Sequence, residues 1–136
     1  MQNDECIFCK IAKGEIPSTT VYEDNEFKVI LDKFPATSGH MLVIPKEHVE
    51  NIFEISDENA ARIFAVVSEM AKKMKDNLKF DGLNIVQNNG SIAGQSVFHF
   101  HIHLIPRYEG DTVNVSWENT EASSEDLEET KKKIMM

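Results

Sequence analysis

Three histidines recur at every second position in "VFHFHIHLIP", residues 97–106, with a bulky apolar residue filling each gap. Imidazole suits nucleophilic, basic or acidic work at neutral pH because its ordinary pKa lies near about 6.5, and either ring nitrogen can ligate a metal. Side chains of an extended strand alternate between faces. His99, His101 and His103 are therefore expected on one face, and Phe98, Phe100, Ile102 and Leu104 on the other. The apolar set can anchor the strand on a core and leave the imidazoles in a cleft. One histidine on a strand is usually a satisfied structural residue, whereas three in register favour chemistry.

Reach separates metal from catalysis along this row. Same-face neighbours stand roughly 6.6 Å apart, so a His-x-His pair can share a zinc at about 2.0–2.1 Å from each nitrogen. His99 and His103, about 13 Å apart at Cα, lie at the limit of reach for a common ion. At least one imidazole should be free for other work. A middle histidine flanked by two others is well placed to attack phosphorus while a neighbour gives a proton to the leaving group. The preceding "NNGSIAGQS" reads as a tight loop of glycines and small polar residues. It offers Ser96 and backbone N–H groups to phosphate oxygens, but it is not a P-loop, because Gln95 stands where the Walker lysine is needed.

A second candidate is Cys6-x-x-Cys9, the only cysteines of the chain. Two thiolates at this spacing suit tetrahedral zinc or redox work better than a disulfide. Two ligands are not a site, and a buried reduced pair is the plain alternative.

The elements that must hold these residues follow from periodicity. "DECIFCKIAKGEIP" reads as one or two helical turns, capped by Asp4 and ended by Gly14, Ile16 and Pro17. "TTVYEDNEFKVILDKFP" reads as a hairpin about Asp24-Asn25, and "GHMLVIPKEH" as a strand ended by Pro45. On that strand His40 shares a face with Leu42 and Ile44, which also permits a plain half-buried histidine. The long helix begins after Ser56, with Asp57 and Glu58 in its first turn. Its apolar stripe is Ala60, Ile63, Phe64, Val67, Met70, Ala71, Met74 and Leu78, with Gly82 as the exit. Strands around "LNIVQ" and "VFHFHIHLI" follow. The expected fold is α+β: a mostly antiparallel sheet of about five strands, covered on one face by one long helix, with a short N-terminal helix. Residues 1–111 form the domain. Residues 112–136 read as a tail containing Trp117 and a short helix capped by Ser123 or Ser124.

At 136 residues the chain is long enough for one core but too short for two. Its 41% hydrophobic and 27% charged residues fit a soluble globular protein. A net charge of -9 argues against long nucleic acid, which needs clustered Lys and Arg, without excluding one small nucleotide. No apolar run approaches the roughly 18 residues of a membrane span, and no signal-peptide pattern opens the chain. A cytoplasmic location is the expectation, and in that reducing setting metal is the better reading of the cysteine pair.

The motif "HFHIHLI" matches in full the signature of the histidine triad superfamily, His-x-His-x-His followed by two apolar residues. The resemblance extends from "CIFCKI" through "LDKFPATSGHMLVIPKEH" to "GQSVFHFHIHLIPR", and is strongest to the nucleoside phosphoramidase branch. It implies a histidine triad fold and hydrolysis of nucleoside 5′-monophosphate derivatives through a nucleotidyl-histidine intermediate on His101. His103 would assist the leaving group, with Ser96 and a relay through His40, while His99 would orient His101 through its carbonyl. Asp32 would hold the ribose hydroxyls. Asn88, Gly94, Gln95 and Ser96 would contact phosphate, and Ile7, Phe8, Ile11 and Ile30 would line the base pocket. Lys33 departs from the apolar residue common at that position, and its ammonium would change how base or ribose is held. Bacterial members of the branch imply a structural zinc on Cys6, Cys9, His48 and His99. A homodimer with sheets joined across the two-fold is likewise implied, and related C-terminal segments suggest that Trp117 either packs the tail down or approaches the partner's site.

Three functions fit these residues. The first is a hydrolase acting on purine nucleoside phosphoramidates or, alternatively, on dinucleoside polyphosphates. The second is a nucleotide-binding regulatory module with little turnover, and the third is a metalloprotein whose histidine row mainly holds zinc.

Overall fold

A computed structural model describes residues 5–136, so the expected cap at Asp4 lies outside the described residues. In chain order the elements are α1 (Ile7–Lys13), β1 (Thr20–Glu23), β2 (Phe27–Leu31), β3 (Met41–Pro45), α2 (Asp57–Asn77), β4 (Gly82–Val86), β5 (Ile102–Arg107) and α3 (Ser124–Ile134). The five strands form one antiparallel sheet in the order β1-β2-β3-β5-β4. The turn between β1 and β2 is closed by Asp24, whose Oδ1 accepts the N–H groups of Glu26 and Phe27. That side-chain bonding is what favours Asp over a larger residue at a tight reversal.

The sheet is covered on both faces, not on one. α2 packs Ile63, Val66, Val67, Met70 and Met74 against Phe27, Val29, Met41, Val43, Ile102 and Leu104. On the opposite face α1 lays Phe8 and Ile11 over Ile30, Leu42 and Ile44. Phe27 through Ile30 are consequently all buried, the charged Lys28 included. The short α1 supplies too few apolar positions for its periodicity to announce this second layer.

α2 is capped by Ser56, whose Oγ accepts the Asn59 N–H at 3.1 Å, and it ends at Asn77. Leu78 is already extended and Gly82 opens β4, so the helix exit lies earlier than expected. Phe64 is more than half exposed, and Val66 takes its place in the packed stripe. A helical stripe wide enough to cover a sheet tolerates this exchange of one member for another.

The histidine row departs most from a simple strand. β5 begins at Ile102, and the backbone before it bends away, with the Phe100 N–H donated to the Val49 carbonyl at 2.7 Å. Phe100 enters the core while Phe98 is 44% exposed, so the expected alternation fails at Phe98. His103 alone lies in the ladder, opposite Leu42 on β3 and Val86 on β4. His40 is buried, not half-buried. The tail has no regular structure before α3, and Trp117 is 79% exposed and does not pack the tail onto the domain.

Candidate functional site

α1 starts on Cys6, whose Sγ accepts the Cys9 N–H at 3.3 Å. One helical turn thus directs both thiols toward two histidines from distant segments. Cys6 Sγ lies 3.3 Å from His99 Nδ1, and Cys9 Sγ lies 3.3 Å from His48 Nδ1 and 3.5 Å from His99 Nδ1. The two Nδ1 atoms are 3.2 Å apart, and all four donor atoms lie within 4.8 Å of one another. Corners of a tetrahedron around zinc, at about 2.0–2.3 Å from the ion, stand roughly 3.3–3.8 Å apart. The donor set and its spacing therefore fit a tetrahedral metal centre.

His99 is fully buried, and its Nε2 lies 2.7 Å from the Pro45 carbonyl. A carbonyl only accepts, so Nε2 carries the proton and Nδ1 turns its lone pair toward the thiols. Burial holds the imidazole neutral by pushing its pKa down to about 4.

His101 has the opposite arrangement. Its Nδ1 lies 2.7 Å from the His99 carbonyl, so Nδ1 carries the proton and Nε2 keeps the lone pair. Burial also lowers the His101 pKa, which leaves that lone pair available near neutrality. The Phe8 ring meets the His101 ring edge-on at 5.0 Å and fixes its plane from the α1 side.

His103 completes a chain with His40 and Asp32. The Ala36 N–H donates to His40 Nδ1 at 2.9 Å, so a neutral His40 must carry its proton on Nε2. That Nε2–H points at His103 Nδ1, 2.9 Å away, with Asp32 Oδ2 at 3.6 Å. His103 Nδ1 accepts, and the His103 proton sits on Nε2. Burial, aided by the neighbouring His101 and His40, pushes the His103 pKa down to about 4, and burial also lowers that of His40. Asp32, His40 and His103 also cluster closely enough to suggest a cation site. The Ala36 N–H excludes His40 Nε2 as a neutral ligand there, so the trio is a hydrogen-bond chain.

These groups open onto a cleft of about 990 Å³. Ile7, Phe8, Ile11, Ile16, Ile30 and Leu42 make one apolar end, and Asp32, Ser96, His101 and His103 supply the polar part. Among the described residues, Lys33 is the only lysine or arginine in the lining. Phe34 also lines the cleft and is largely exposed, a feature that nothing in its sequence context announced.

Of the other expected phosphate contacts, Gln95 is turned inward. Its Oε1 accepts the Gly90 N–H at 2.8 Å, while its Nε2 donates to the carbonyls of Glu50 at 2.7 Å and Val97 at 3.1 Å. It shapes the loop, and its amide has no donor left over. Asn88 lies against Gly94, whose φ of 101° favours glycine. Asn88, Gly94, Gln95 and His40 are not among the residues that line the cleft. The groups that sequence reasoning missed are mainly backbone atoms: the Ala36 N–H and the Pro45 carbonyl have no residue-type signal.

The sequence of residues 13–110 matches the HIT domain. This chain belongs to the HIT domain family. The HIT protein is 50% identical over 115 residues to "Protein hit" of Bacillus subtilis, covering 84% of this chain and 79% of that one. It is 41% identical over 123 residues to the adenosine 5′-monophosphoramidase hnt1 of Schizosaccharomyces pombe, covering 90% of each. Among solved structures, SMU.412c of Streptococcus mutans superposes with a TM-score of 0.95 at 42% identity, covering 98% of this chain and 85% of that one. A Zn-bound histidine triad family protein of Mycobacterium smegmatis superposes with a TM-score of 0.76 at 40% identity, covering 85% and 84%. The α+β fold and the family resemblance of the motifs are thereby established. Among the described residues, no helix is long and apolar enough to cross a membrane.

Proposed function

We propose that this HIT protein is a nucleotide-binding hydrolase that cleaves purine nucleoside 5′-phosphoramidates through a covalent nucleotidyl intermediate on His101. The observation that carries this reading is the 2.7 Å bond from His101 Nδ1–H to the His99 carbonyl. It leaves the Nε2 lone pair as the reactive position of a neutral imidazole lining the cleft. The adenosine 5′-monophosphoramidase activity for which the Schizosaccharomyces pombe relative is named supports the substrate class.

In this mechanism His101 Nε2 forms a bond to the α-phosphorus while the bond from phosphorus to the leaving nitrogen breaks. His103 gives its Nε2 proton to that nitrogen and recovers one from the water that then cleaves the His101–phosphorus bond. His40 Nε2–H holds His103 in the donating tautomer, and the Ala36 N–H holds His40. Ser96 lines the cleft and supplies a hydroxyl near the scissile bond. Asp32 Oδ1 accepts the Phe34 N–H at 2.9 Å and keeps lone pairs for ribose hydroxyls. Phe8, Ile11 and Ile30 make the apolar wall for the base, and Lys33 faces its edge.

We assign zinc to Cys6, Cys9, His48 and His99. Four protein ligands leave no open position for water, so the ion would act in holding α1 to the histidine row and not in hydrolysis. A homodimer belongs to the same reading, supported by β4 as an exposed sheet edge bearing Ile85, and so does a reducing cytoplasm.

The test is a panel of AMP and GMP phosphoramidates and diadenosine polyphosphates, run on wild type and on His101→Ala. Phosphoramidate turnover by wild type alone supports the reading. Preference for the polyphosphates would shift the substrate class, and turnover by His101→Ala would remove the nucleophile.

A further inference from the structure

Lys28 is a charged residue where a strand should be apolar. It lies on β2 between Phe27 and Val29, opposite Ile44 of β3, and is 7% exposed. It points to the same face as Ile30, two residues on, which is the face covered by α1. A buried ammonium is costly unless its charge is compensated. Among the described residues the Lys28 side chain makes one hydrogen bond, from Nζ to the carbonyl of Ile11 at 2.9 Å.

That carbonyl belongs to the last turn of α1 and also accepts the Gly14 N–H at 3.1 Å. A cation at a helix C-terminus meets the negative end of the helix dipole, which compensates the buried charge in part. Glu23 lies within electrostatic range, its carboxylate favoured first by its hydrogen bond from Lys46 and also by Lys28. An apolar side chain of similar length would fill the same space without any charge to compensate. The ammonium therefore does something that packing alone does not require.

The residue it holds identifies that role. Ile11 lines the cleft from α1, and Ile30 lines it from β2, the strand that carries Lys28. We propose that Lys28 is a positioning residue that ties α1 to β2 through the Ile11 carbonyl and so sets the spacing of the two apolar walls that grip the nucleobase. It touches no substrate. Its effect on nucleotide affinity rests on the function proposed above, whereas its effect on α1 does not.

Lys28→Met, which keeps the length and removes the charge and the donor, separates this role from packing. Thermal stability should stay level or rise, as when a buried charge is replaced by a well-fitting apolar chain. Amide hydrogen exchange in α1 should accelerate, and AMP should bind roughly tenfold more weakly, the scale of one lost hydrogen bond to a charged group. In turnover KM should rise by that factor with kcat within about twofold. Lys28→Arg, which keeps a cationic donor, should restore α1 protection and AMP affinity. Unchanged exchange in α1 for Lys28→Met overturns the proposal, and so does an arginine variant as weak as the methionine one. If wild type binds no AMP, the proposed function fails, while α1 exchange still decides the part played by Lys28.

Discussion

His99 and His101 are two residues apart and chemically identical, yet they face opposite tasks. His99 gives its Nε2 proton to the Pro45 carbonyl and turns a bare Nδ1 toward Cys6, Cys9 and His48. His101 gives its Nδ1 proton to the His99 carbonyl and leaves Nε2 bare in the cleft. Both rings are buried and both pKa values are lowered by that burial. Burial keeps each imidazole neutral, and the position of one carbonyl then chooses the nitrogen that remains reactive. A closed cluster of four donors and an open cleft thus draw on histidines two residues apart, by a difference in backbone acceptors.

Removing the ring on the cleft side should break this contrast most severely. His101→Ala should lower phosphoramidate turnover by roughly four orders of magnitude or more, the scale seen when a covalent nucleophile is lost. Its metal content by elemental analysis should equal that of wild type, because His101 lies outside the four-donor cluster.

On the other side, Cys9→Ala should lose bound zinc and lower unfolding free energy by on the order of 4 kcal/mol, as read by chemical denaturation. An unchanged zinc content would remove the thiols from the metal site. Chelation of wild type should reproduce the loss of stability.

The second hydrogen-bond chain gives an intermediate effect. His40→Leu removes the donor that fixes His103 and should reduce kcat by roughly 10²-fold. His40→Gln can accept from Ala36 and donate to His103, so it should retain most activity. Equal losses in both variants would show that His40 acts by some means other than fixing its neighbour.

The smallest effect is in stability against pH. The His103 pKa is lowered to about 4 in the folded chain, below an unfolded value near about 6.5. The unfolded chain therefore binds the extra proton first as pH falls. Stability from this residue is fully present above about 6.5 and declines toward about 4. His103→Asn should flatten that part of a denaturation series.

The sequence made the site legible where residue type and spacing carry the meaning. His101, His103, Ser96 and Asp32 are brought to one cleft, whereas His99, expected in the same cleft, is fully buried and converges with Cys6, Cys9 and His48, the set the resemblance implied. The antiparallel sheet and long helix were legible from their periods of two and 3.6 residues. Less was legible where a distant backbone atom decides. The Val49 carbonyl draws in the Phe100 N–H and breaks the strand alternation, so Phe98 turns outward. The inward turn of Gln95 depends on Glu50, 45 residues away in sequence. The burial of Lys28 has no signal in its own strand, because the cover that α1 supplies over β2 rests on a helix of seven residues.

Long-range ¹H–¹⁵N NMR of the histidine rings, recorded at neutral pH on zinc-loaded wild type, tests the division of labour most directly. The expected spectrum has His99 protonated on Nε2 with a ligated Nδ1, and His101 protonated on Nδ1 with a bare Nε2. The same tautomer at both positions, or a charged ring at His101, would contradict it.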